Sequence, residues 1–260
     1  MKLERRYVEK PWGRTELPPM FGARSGERIG EVWFTGGGDL PLLAKYIFTS
    51  ERLSIQVHPD DEQARARGLK EGKSECWTIL EAEPGATLGL GLKREVMGDE
   101  LRSAAIDGSI EELMDWRPVS AGDFIFVPSG TIHAIGAGIS LLEFQQNSDV
   151  TYRLYDYGRP RELHLEDGIA VSNPAPFPAD LVQHLSGDEQ RTLVDGPHFT
   201  LVQSNEDVLQ DRLRWIIPLE GEIRSGEELA GAGDCLLVQP NEEIEASGAR
   251  LLIGATCLPS

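Results

Sequence analysis

Short apolar runs separated by glycine- and proline-rich turns recur along the chain. Their β-branched and aromatic residues, and the alternation of polar and apolar positions within several of them, are typical of β-strands. The pattern predicts strands at residues 30–34, 42–48, 54–58, 74–80, 123–127, 140–144 and 150–155. We therefore expect the chain to fold mainly as β-sheet.

Two regions depart from this pattern and predict short helices. Residues 60–72 are polar and predict a short helix within a loop. Further along, Asp99 is suited to cap a helix at 100–106, and the run 109–112 has the spacing of a capping box. We interpret residues 94–117 as a short helical insertion.

A proline-rich segment divides the chain into two predicted domains. Three prolines alternate with other residues in 171–178, which favours an extended connector. We place the boundary there, between a unit at 1–170 and a second at 171–260. The second unit repeats part of the first, because the Ala-Gly-Asp segment at 121–128 aligns with the one at 232–239.

The repeat also predicts how the two units differ. When Trp77 and Trp215 are matched, Glu75 corresponds to Leu213, so the second unit lacks the candidate metal ligands described below. We expect it to be a degenerate β unit without metal ligands that covers the first sheet.

Composition excludes several classes of partner. The 260 residues are 40% hydrophobic and 26% charged, as in a globular protein with a sizeable core. The net charge of −18 argues against binding to nucleic acid or anionic membrane. No apolar run approaches the ~20 residues of a membrane span, and the N-terminus lacks the apolar core of a signal peptide, so a cytoplasmic location is expected. The three cysteines are too few and too scattered for a disulfide framework.

A candidate metal site begins in the predicted strand at 54–58. Alternation along a strand places Ser54, Gln56 and His58 on one face. Glu75 and His133 would complete a set of two imidazoles, a carboxylate and an amide oxygen, which suits zinc or iron better than a thiolate-seeking ion. The alternative is that these are ordinary polar residues of strands and turns.

The spacing around His133 resembles the second motif of the cupin family. It consists of Gly122, five residues, Pro128-Ser-Gly130, two residues and His133, with Ala137 where an asparagine often ends the motif. The resemblance implies an all-β double-stranded β-helix, the cupin jelly roll, with a short helical insertion and a second degenerate β-sandwich or jelly-roll unit.

Residues 7–160 resemble more specifically the type I phosphomannose isomerases, and among them the small bacterial class. A generic cupin carries His-x-His where this chain has Gln56-Val-His58, and it reaches its glutamate sooner. The larger enzymes of the family have a large helical insert that is absent here. Further matching segments are Pro11-Trp-Gly13, Gly30-Glu-Val-Trp33, Gly72-Lys-Ser-Glu-Cys-Trp77 and Tyr152-Arg-Leu-Tyr-Asp-Tyr-Gly-Arg159.

This resemblance implies a reaction and a cofactor. The reaction is the interconversion of mannose 6-phosphate and fructose 6-phosphate, in which a proton moves between C1 and C2 through an enediol. One zinc ion per chain would be held by Gln56, His58, Glu75 and His133. The partner implied is a small phosphosugar, and we expect a monomer or weak homodimer.

The resemblance also implies roles for other residues. Glu143 and Lys73 are both candidates for proton transfer, and the sequence does not choose between them. Arg153 would hold substrate oxygens near the metal. The residues implied to bind phosphate are Ser54, Lys45 and Arg159.

Two other functions stay open at this point. Two histidines and a carboxylate also describe non-haem iron oxygenases, although Gln56 would occupy coordination space that oxygen chemistry needs. A sugar-phosphate-binding cupin without turnover is the other alternative. It would not require the proton-transfer candidates Lys73 and Glu143, both of which are present.

Individual residues also have simpler interpretations. Arg153, Glu143 and Arg159 could be paired or solvated charges on strands and turns. The remaining histidines, His164, His184 and His198, lie outside every motif and are expected to be surface or structural residues.

Overall fold

The computed structural model describes residues 1–22, 26–96, 98–187, 189–246 and 248–257. Strands dominate it, as predicted. The strands before the proline-rich segment are β1 (Glu4–Arg14), β2 (Ile29–Thr35), β3 (Leu42–Phe48), β4 (Ile55–Val57), β5 (Glu75–Ala82), β6 (Thr87–Leu92), β7 (Met114–Pro118), β8 (Asp123–Val127), β9 (His133–Ile135), β10 (Ile139–Gln146) and β11 (Tyr152–Tyr155).

The remaining strands follow the proline-rich segment. They are β12 (Val182–His184), β13 (Arg191–Asp195), β14 (Phe199–Ser204), β15 (Arg214–Glu220), β16 (Glu222–Ser225), β17 (Glu228–Gly231), β18 (Leu236–Val238) and β19 (Arg250–Thr256). The α-helices are α1 (Asp61–Arg65), α2 (Gly98–Asp107), α3 (Ile110–Leu113) and α4 (Leu165–Val171), and 3₁₀ turns lie at Pro19–Phe21 and Ala179–Leu181. Within the described parts of the chain, no helix has the length and apolar character needed to cross a bilayer.

Two facing sheets enclose the candidate site. Among the described residues, the first sheet has the order β1-β2-β3-β10-β5-β8-β12, and the second has the order β11-β4-β9-β6-β7. Alternate side chains point into the space between them, and Ile47, Trp77 and Leu88 belong to the apolar core formed there. This is the predicted all-β jelly roll.

Helices cover the outer face of the second sheet. Ile55 and Val57 of β4 share an apolar core with Leu101 of α2 and Ile110 of α3. Because successive side chains of a strand point to opposite faces, burying these two residues against the helices turns Gln56 into the jelly roll.

The short helix predicted within residues 60–72 is present as α1, whereas the predicted caps of the later helices are absent. Asp60 caps α1, since its side chain accepts from the Gln63 backbone N–H while the Gln63 side chain accepts from the Asp60 N–H. The two caps that the sequence predicted are wrong: Asp99 lies inside the first turn of α2, and Ser109 makes no side-chain cap hydrogen bond. The chain returns to sheet at Met114, within the predicted insertion, because β7 pairs with β6.

A third sheet covers the outer face of the first sheet, as expected for the second unit. Its order is β13-β14-β19-β15-β18. Phe144 of β10 packs edge-on against Phe199 and Trp215, with ring centroids 5.3 and 6.2 Å apart. Gly254 of β19 permits this approach, because a Cβ there would lie 2.2 Å from the Phe144 ring. A hairpin of β16 and β17 closes the far side of the third sheet.

Two segments, β12 and the N-terminal residues, tie the units together. Beyond the connector at 171–178, β12 still pairs with β8 at the edge of the first sheet, and the third sheet starts at β13. At the N-terminus, Lys2 and Arg5 form ion pairs of 2.7 and 2.6 Å with Asp234. The first sheet therefore includes a strand from beyond the connector.

The strand order β14-β19-β15-β18 repeats the order β3-β10-β5-β8 of the first sheet. In the first sheet Trp77 lies opposite Ile125. In the repeat Trp215 lies opposite Leu237, one residue beyond Leu236, which is the residue aligned with Ile125. Matching the two tryptophans is therefore wrong by one residue.

The corrected register changes the equivalent of Glu75. Ile216, opposite Leu236, takes the place of Trp77. Two residues earlier, Arg214 rather than Leu213 takes the place of Glu75. Because a shift of one residue exchanges the two faces of a strand, Trp215 points toward the first sheet, whereas Trp77 points into the jelly roll.

Candidate metal centre and adjoining cavity

Three neighbouring chain segments bring the predicted ligands together inside the jelly roll. Gln56 of β4 lies directly opposite His133 of β9, and His58 follows β4 by one residue. Glu75 is the first residue of β5 on the facing sheet. Even the most exposed of the two histidines and the glutamate, His58, has only 2% of its surface accessible.

The side chains of His58, Glu75 and His133 converge on one point. Their ligand atoms all lie within 4.8 Å of one another. Glu75 Oε1 is 3.3 Å from His133 Nε2, and Glu75 Oε2 is 3.6 Å from His58 Nε2. This group has the composition and the spacing to hold a metal ion.

Hydrogen bonds to backbone carbonyls orient both imidazole rings. His58 Nδ1 lies 2.7 Å from the Val150 carbonyl oxygen, and His133 Nδ1 lies 2.8 Å from that of Thr131. A carbonyl only accepts, so each Nδ1 carries the proton in the neutral ring and each Nε2 has a free lone pair. Both lone pairs therefore face the Glu75 carboxylate.

The protonation of these groups also fits a cation. Burial lowers the pKa of His58 well below its usual value, with Lys73 and His133 acting in the same direction. Burial likewise lowers the pKa of His133, although Glu75 opposes the shift. Two neutral imidazoles and a carboxylate direct their lone pairs toward one point, which is the arrangement that a positive ion requires. The Lys73 ammonium contacts this group from one side, with its Nζ 2.5 Å from Glu75 Oε2 and 3.4 Å from His58 Nε2. We conclude that the donor set suits a divalent cation.

Gln56 and Ser54 lie beside this group. The Ser54 hydroxyl donates to Gln56 Oε1 at 3.1 Å, and Gln56 Nε2 is 3.3 Å from His133 Nε2. A half-turn of the amide would exchange its two ends, so that the oxygen faces His133 while the NH₂ group donates to Ser54. The structure thus brings Gln56 to the group as the predicted fourth donor.

A line of alternating charges leads away from the metal group, and we call it the charge row. Successive N–O distances along it are 3.1, 3.6, 3.1, 3.3 and 2.5 Å. Its members, in order toward the metal group, are Lys10, Glu31, Lys45, Glu143, Lys73 and Glu75.

The charge row keeps three of its buried members, Glu75, Lys45 and Glu31, ionised. Burial alone would raise the pKa of Glu75, but Lys73, His133 and Lys45 together hold it below its usual value. Burial would lower the pKa of Lys45, but Glu143 and Glu31 outweigh that effect and raise it. In Glu31 the same competition ends with a lowered pKa, because Lys45 and Lys10 oppose the burial.

A cavity of about 250 Å³ opens beside the metal group. The predicted site residues that line it are Lys45, Ser54, Gln56, Lys73, Glu75, Glu143 and Arg153. Lysine and glutamate side chains thus meet a candidate metal centre in a space suited to a small polar molecule.

Arg153 reaches this cavity from the neighbouring strand. It lies on β11 opposite Gln56, and its Nη1 donates to the Glu162 carbonyl oxygen at 2.7 Å. Its backbone N–H donates to His164 Nδ1 at 3.2 Å. His164, set aside in the sequence as surface or structural, therefore supports a candidate site residue through the backbone.

Nine lining residues were not among the predicted site residues. They are Lys10, Trp12, Glu31, Ile47, Leu53, Ile135, Asp149, Thr151 and Arg161. Trp12 and Glu31 lie within segments that carry the family resemblance, so those segments were a usable signal. Lys10 and Arg161 have no such signal.

Arg159 is placed elsewhere. Its Nη2 donates to the Arg52 carbonyl oxygen at 2.7 Å and pairs with Asp156 at 2.8 Å. It lines a separate depression together with Ser50 and Tyr157. The structure therefore brings every predicted site residue except Arg159 to the metal group or its cavity.

Comparison with curated proteins links the chain to one group of enzymes. It is 43% identical over 171 residues to the mannose-6-phosphate isomerase of Streptococcus mutans, a match that covers 62% of this chain and 53%, or about half, of that enzyme. It is 38% identical over 225 residues to the mannose-6-phosphate isomerase ManA of Bacillus subtilis, covering 80% of this chain and 68% of the relative. No protein-family model matches.

Solved structures show the same fold. A crystal structure of the mannose 6-phosphate isomerase from Bacillus subtilis aligns with a TM-score of 0.77 at 26% identity, over 98% of this chain and 96% of that one. A mannose 6-phosphate isomerase solved with zinc and yttrium bound aligns with a TM-score of 0.73 at 18% identity, over 99% of both chains. This second likeness concerns the fold alone.

Proposed function

This chain belongs to the mannose-6-phosphate isomerase family, and we propose that it interconverts mannose 6-phosphate and fructose 6-phosphate in the cavity beside the metal group. The observation that carries the proposal is the meeting of a cation-binding donor set with the Lys73–Glu143 pair in one polar cavity. Moving a proton between C1 and C2 requires a base, an acid and stabilisation of the enediol oxygens.

We assign zinc as the metal. Its holders would be Gln56, His58, Glu75 and His133, a nitrogen and oxygen donor set without thiolate. When bound, zinc supplies positive charge that polarises sugar oxygens. The solved relative that contains zinc has the same fold.

Proton transfer is assigned to the Lys73–Glu143 pair. Lys73 Nζ lies 3.3 Å from Glu143 Oε1, and both residues line the cavity. Trp77 donates to the other Glu143 oxygen at 3.2 Å, which fixes the plane of the carboxylate. Holding a carboxylate and an ammonium side by side places a proton acceptor and a proton donor on the same region of the sugar. Arg153 adds a fixed positive charge beside Gln56.

The test is a coupled assay of mannose 6-phosphate conversion on protein stripped with a chelator and then resupplied with zinc. Activity should disappear with the metal and return with it. His133→Ala should lose both zinc content and activity, whereas His184→Ala should keep both, because His184 is exposed and pairs with Asp123.

Other outcomes would assign a different function. Fully zinc-loaded protein that binds the sugar phosphate without converting it would be a binding protein. Iron-dependent consumption of oxygen would indicate an oxygenase. A His133→Ala variant with full zinc content would remove His133 from the ligand set.

A further inference from the structure

The turn after β11 contains Arg159 and Arg161, and the conformation of the turn places their side chains in two different cavities. Tyr157 and Gly158 both have positive φ, at 56° and 79°, so the chain reverses sharply between Asp156 and the arginines. Arg159 then lines the depression near Tyr157, whereas Arg161 lines the cavity beside the metal group. Only the second arginine is in a position to meet a ligand in that cavity.

Asp156 fixes the orientation of the Arg161 guanidinium. Arg161 Nε and Nη2 donate to its two oxygens at 2.5 and 2.7 Å, a fork of two parallel bonds. The Asp156 side chain is only 1% exposed, so this anchor is held firmly. A guanidinium has five N–H groups, and Nη1 of Arg161 makes no hydrogen bond to any residue that the structure describes. This edge remains for a ligand.

The charges around the cavity indicate which kind of ligand group the free edge of Arg161 would bind. The six members of the charge row sum to zero, so the row itself offers no net charge to an anion. Of the two lining arginines, Arg153 lies beside Gln56 and hence at the metal end. Arg161 lies close to it, because burial and then the charge of Arg161 lower the pKa of Arg153. Outside the charge row, the charged residues that line the cavity are these two arginines and Asp149, so the cavity keeps a net positive charge for an anionic group.

Resting on the proposed function, we infer that Arg161 binds the substrate phosphate and that Asp156 is a positioning residue for it. A planar, permanently charged guanidinium suits the geometry of phosphate oxygens. Arg159, which was expected from the family resemblance to bind phosphate, instead donates to the Arg52 carbonyl oxygen and pairs with Asp156.

The experiment measures binding without turnover. Mannitol 6-phosphate has no carbonyl group and therefore does not isomerise, and mannitol is the matched probe without phosphate. Calorimetric titration of both into the zinc-loaded full chain gives the contribution of the phosphate group to affinity. Arg161→Ala should weaken mannitol 6-phosphate binding at least about tenfold, the loss expected for charge-assisted hydrogen bonds. Mannitol binding should be unchanged.

Control variants separate a phosphate contact from a general disturbance. Arg159→Ala should change mannitol 6-phosphate affinity less than about threefold, because its charge lies outside the cavity. Arg161→Lys should recover part of the affinity lost in Arg161→Ala, since it keeps the charge without the fork. Asp156→Asn should raise KM with little change in kcat. Arg161→Gln replaces the alanine variant if that one does not fold.

Several results would overturn the inference. These are an unchanged affinity in Arg161→Ala, a larger loss in Arg159→Ala, an equal loss for mannitol, or wild-type binding that does not depend on phosphate. Failure of the proposed reaction is a separate result. Wild-type protein that does not convert mannose 6-phosphate, but loses mannitol 6-phosphate affinity on Arg161→Ala, would support Arg161 and refute the isomerase.

Discussion

Equivalent positions in the two β units hold different kinds of residue. Across β3, β10, β5 and β8, one row of facing residues consists of Lys45, Glu143, Trp77 and Ile125. Across β14, β19, β15 and β18, the matching row consists of Val202, Ile253, Ile216 and Leu236. Both rows are buried, but only the first contains charges.

The comparison shows that the charges serve the site rather than the sheet. The second unit forms the same strand order with an aliphatic row, in which each fully buried side chain contributes about 1.5–3 kcal/mol. A buried ion pair at best offsets its own desolvation and is often no more stabilising than the apolar residues it replaces. Lys45 and Glu143 therefore occupy positions that the fold could fill more simply.

The second interior holds a buried ion pair, whose cation lies at the position equivalent to Glu75. Arg214 is fully buried and pairs with Asp207, whose side chain is 4% exposed. It also donates to the Gln239 carbonyl oxygen at 2.7 Å. Where the first unit places a candidate metal ligand, the second unit places a cation that joins loops.

The largest effect is expected from Arg214→Met. Removing the guanidinium leaves Asp207 buried without its partner, so the free energy of unfolding should fall by about 4 kcal/mol. Zinc content and activity per folded molecule should not change, because Arg214 belongs to the other unit. Urea unfolding, zinc analysis and a rate assay measure the three quantities.

The control for this variant is Arg250→Met, which breaks the exposed pair with Glu220. That loss should stay within about 1 kcal/mol. Loss of zinc in Arg214→Met would show that the two interiors are not independent.

Glu143→Leu should have the next largest effect. Without Glu143, Lys45 still pairs with Glu31, and Lys73 still pairs with Glu75. Because each lysine retains one partner, the free energy of unfolding should fall by about 3 kcal/mol, the lower end of the range for a broken buried ion pair. Its matched control is Ile253→Val at the equivalent position, which should cost about 0.5–1.5 kcal/mol. Equal losses in urea unfolding would mean that the charge of Glu143 is not paired.

Replacing both members of the pair should restore stability. Lys45→Val combined with Glu143→Ile copies the second unit and leaves Glu31 with Lys10 and Lys73 with Glu75. The double variant should unfold within about 1.5 kcal/mol of the wild type, although inactive, and should be more stable than either single variant. A double-mutant cycle measures the coupling. Additive losses would contradict the pairing.

The smallest effect concerns the contact between the units. Burial would raise the pKa of Asp234, but bonds from Lys2, the Gly231 N–H and Arg5 hold it below its usual value. A lowered pKa stabilises the fold above the unfolded value of about 4, and this contribution is lost as pH falls through the folded pKa. Because its partners Lys2 and Arg5 are partly exposed, with 37% and 23% of their side chains accessible, Asp234→Asn should cost only about 0.5–1 kcal/mol at neutral pH.

The measurement for Asp234 is the difference in unfolding free energy between wild type and Asp234→Asn as a function of pH. The difference should shrink as the pH falls below about 4, the unfolded pKa, and disappear once the pH lies below the lowered folded pKa. A difference that is constant across this range would assign the effect to shape rather than charge. Glu220→Gln, at an exposed pair, serves as the control.

The sequence predicted those features that depend on local pattern. Alternation correctly placed Gln56 on the face opposite to Ile55 and Val57, and the jelly roll was implied by the resemblance to the cupin family. Strand β6 was missed because Gly89 and Gly91 weaken its strand pattern. Gly91 is required there, since it has a φ of +64° and a Cβ would lie 2.9 Å from the Phe177 backbone nitrogen, a contact that only the fold reveals.

Other features depend on register and turn geometry, which the sequence does not specify. Lys10 meets Glu31 only through the irregular pairing of β1 with β2. The left-handed conformation of Tyr157 decides which of Arg159 and Arg161 reaches the cavity, and a non-glycine residue gives no warning of it. The roles of the predicted site residues, the domain boundary, the cytoplasmic location and the oligomeric state stay predictions.

The charge row also limits which amino-acid substitutions this protein can tolerate during evolution. Each interior member touches two neighbours of opposite charge, so a single mutation that removes one leaves a neighbour short of a partner. Mutations that are harmful one at a time but tolerable together restrict the order in which ancestors could acquire or lose the row. Descendants should therefore keep all six residues of the charge row or replace them in pairs of opposite charge. Substitutions within the row are then expected to occur together in related sequences.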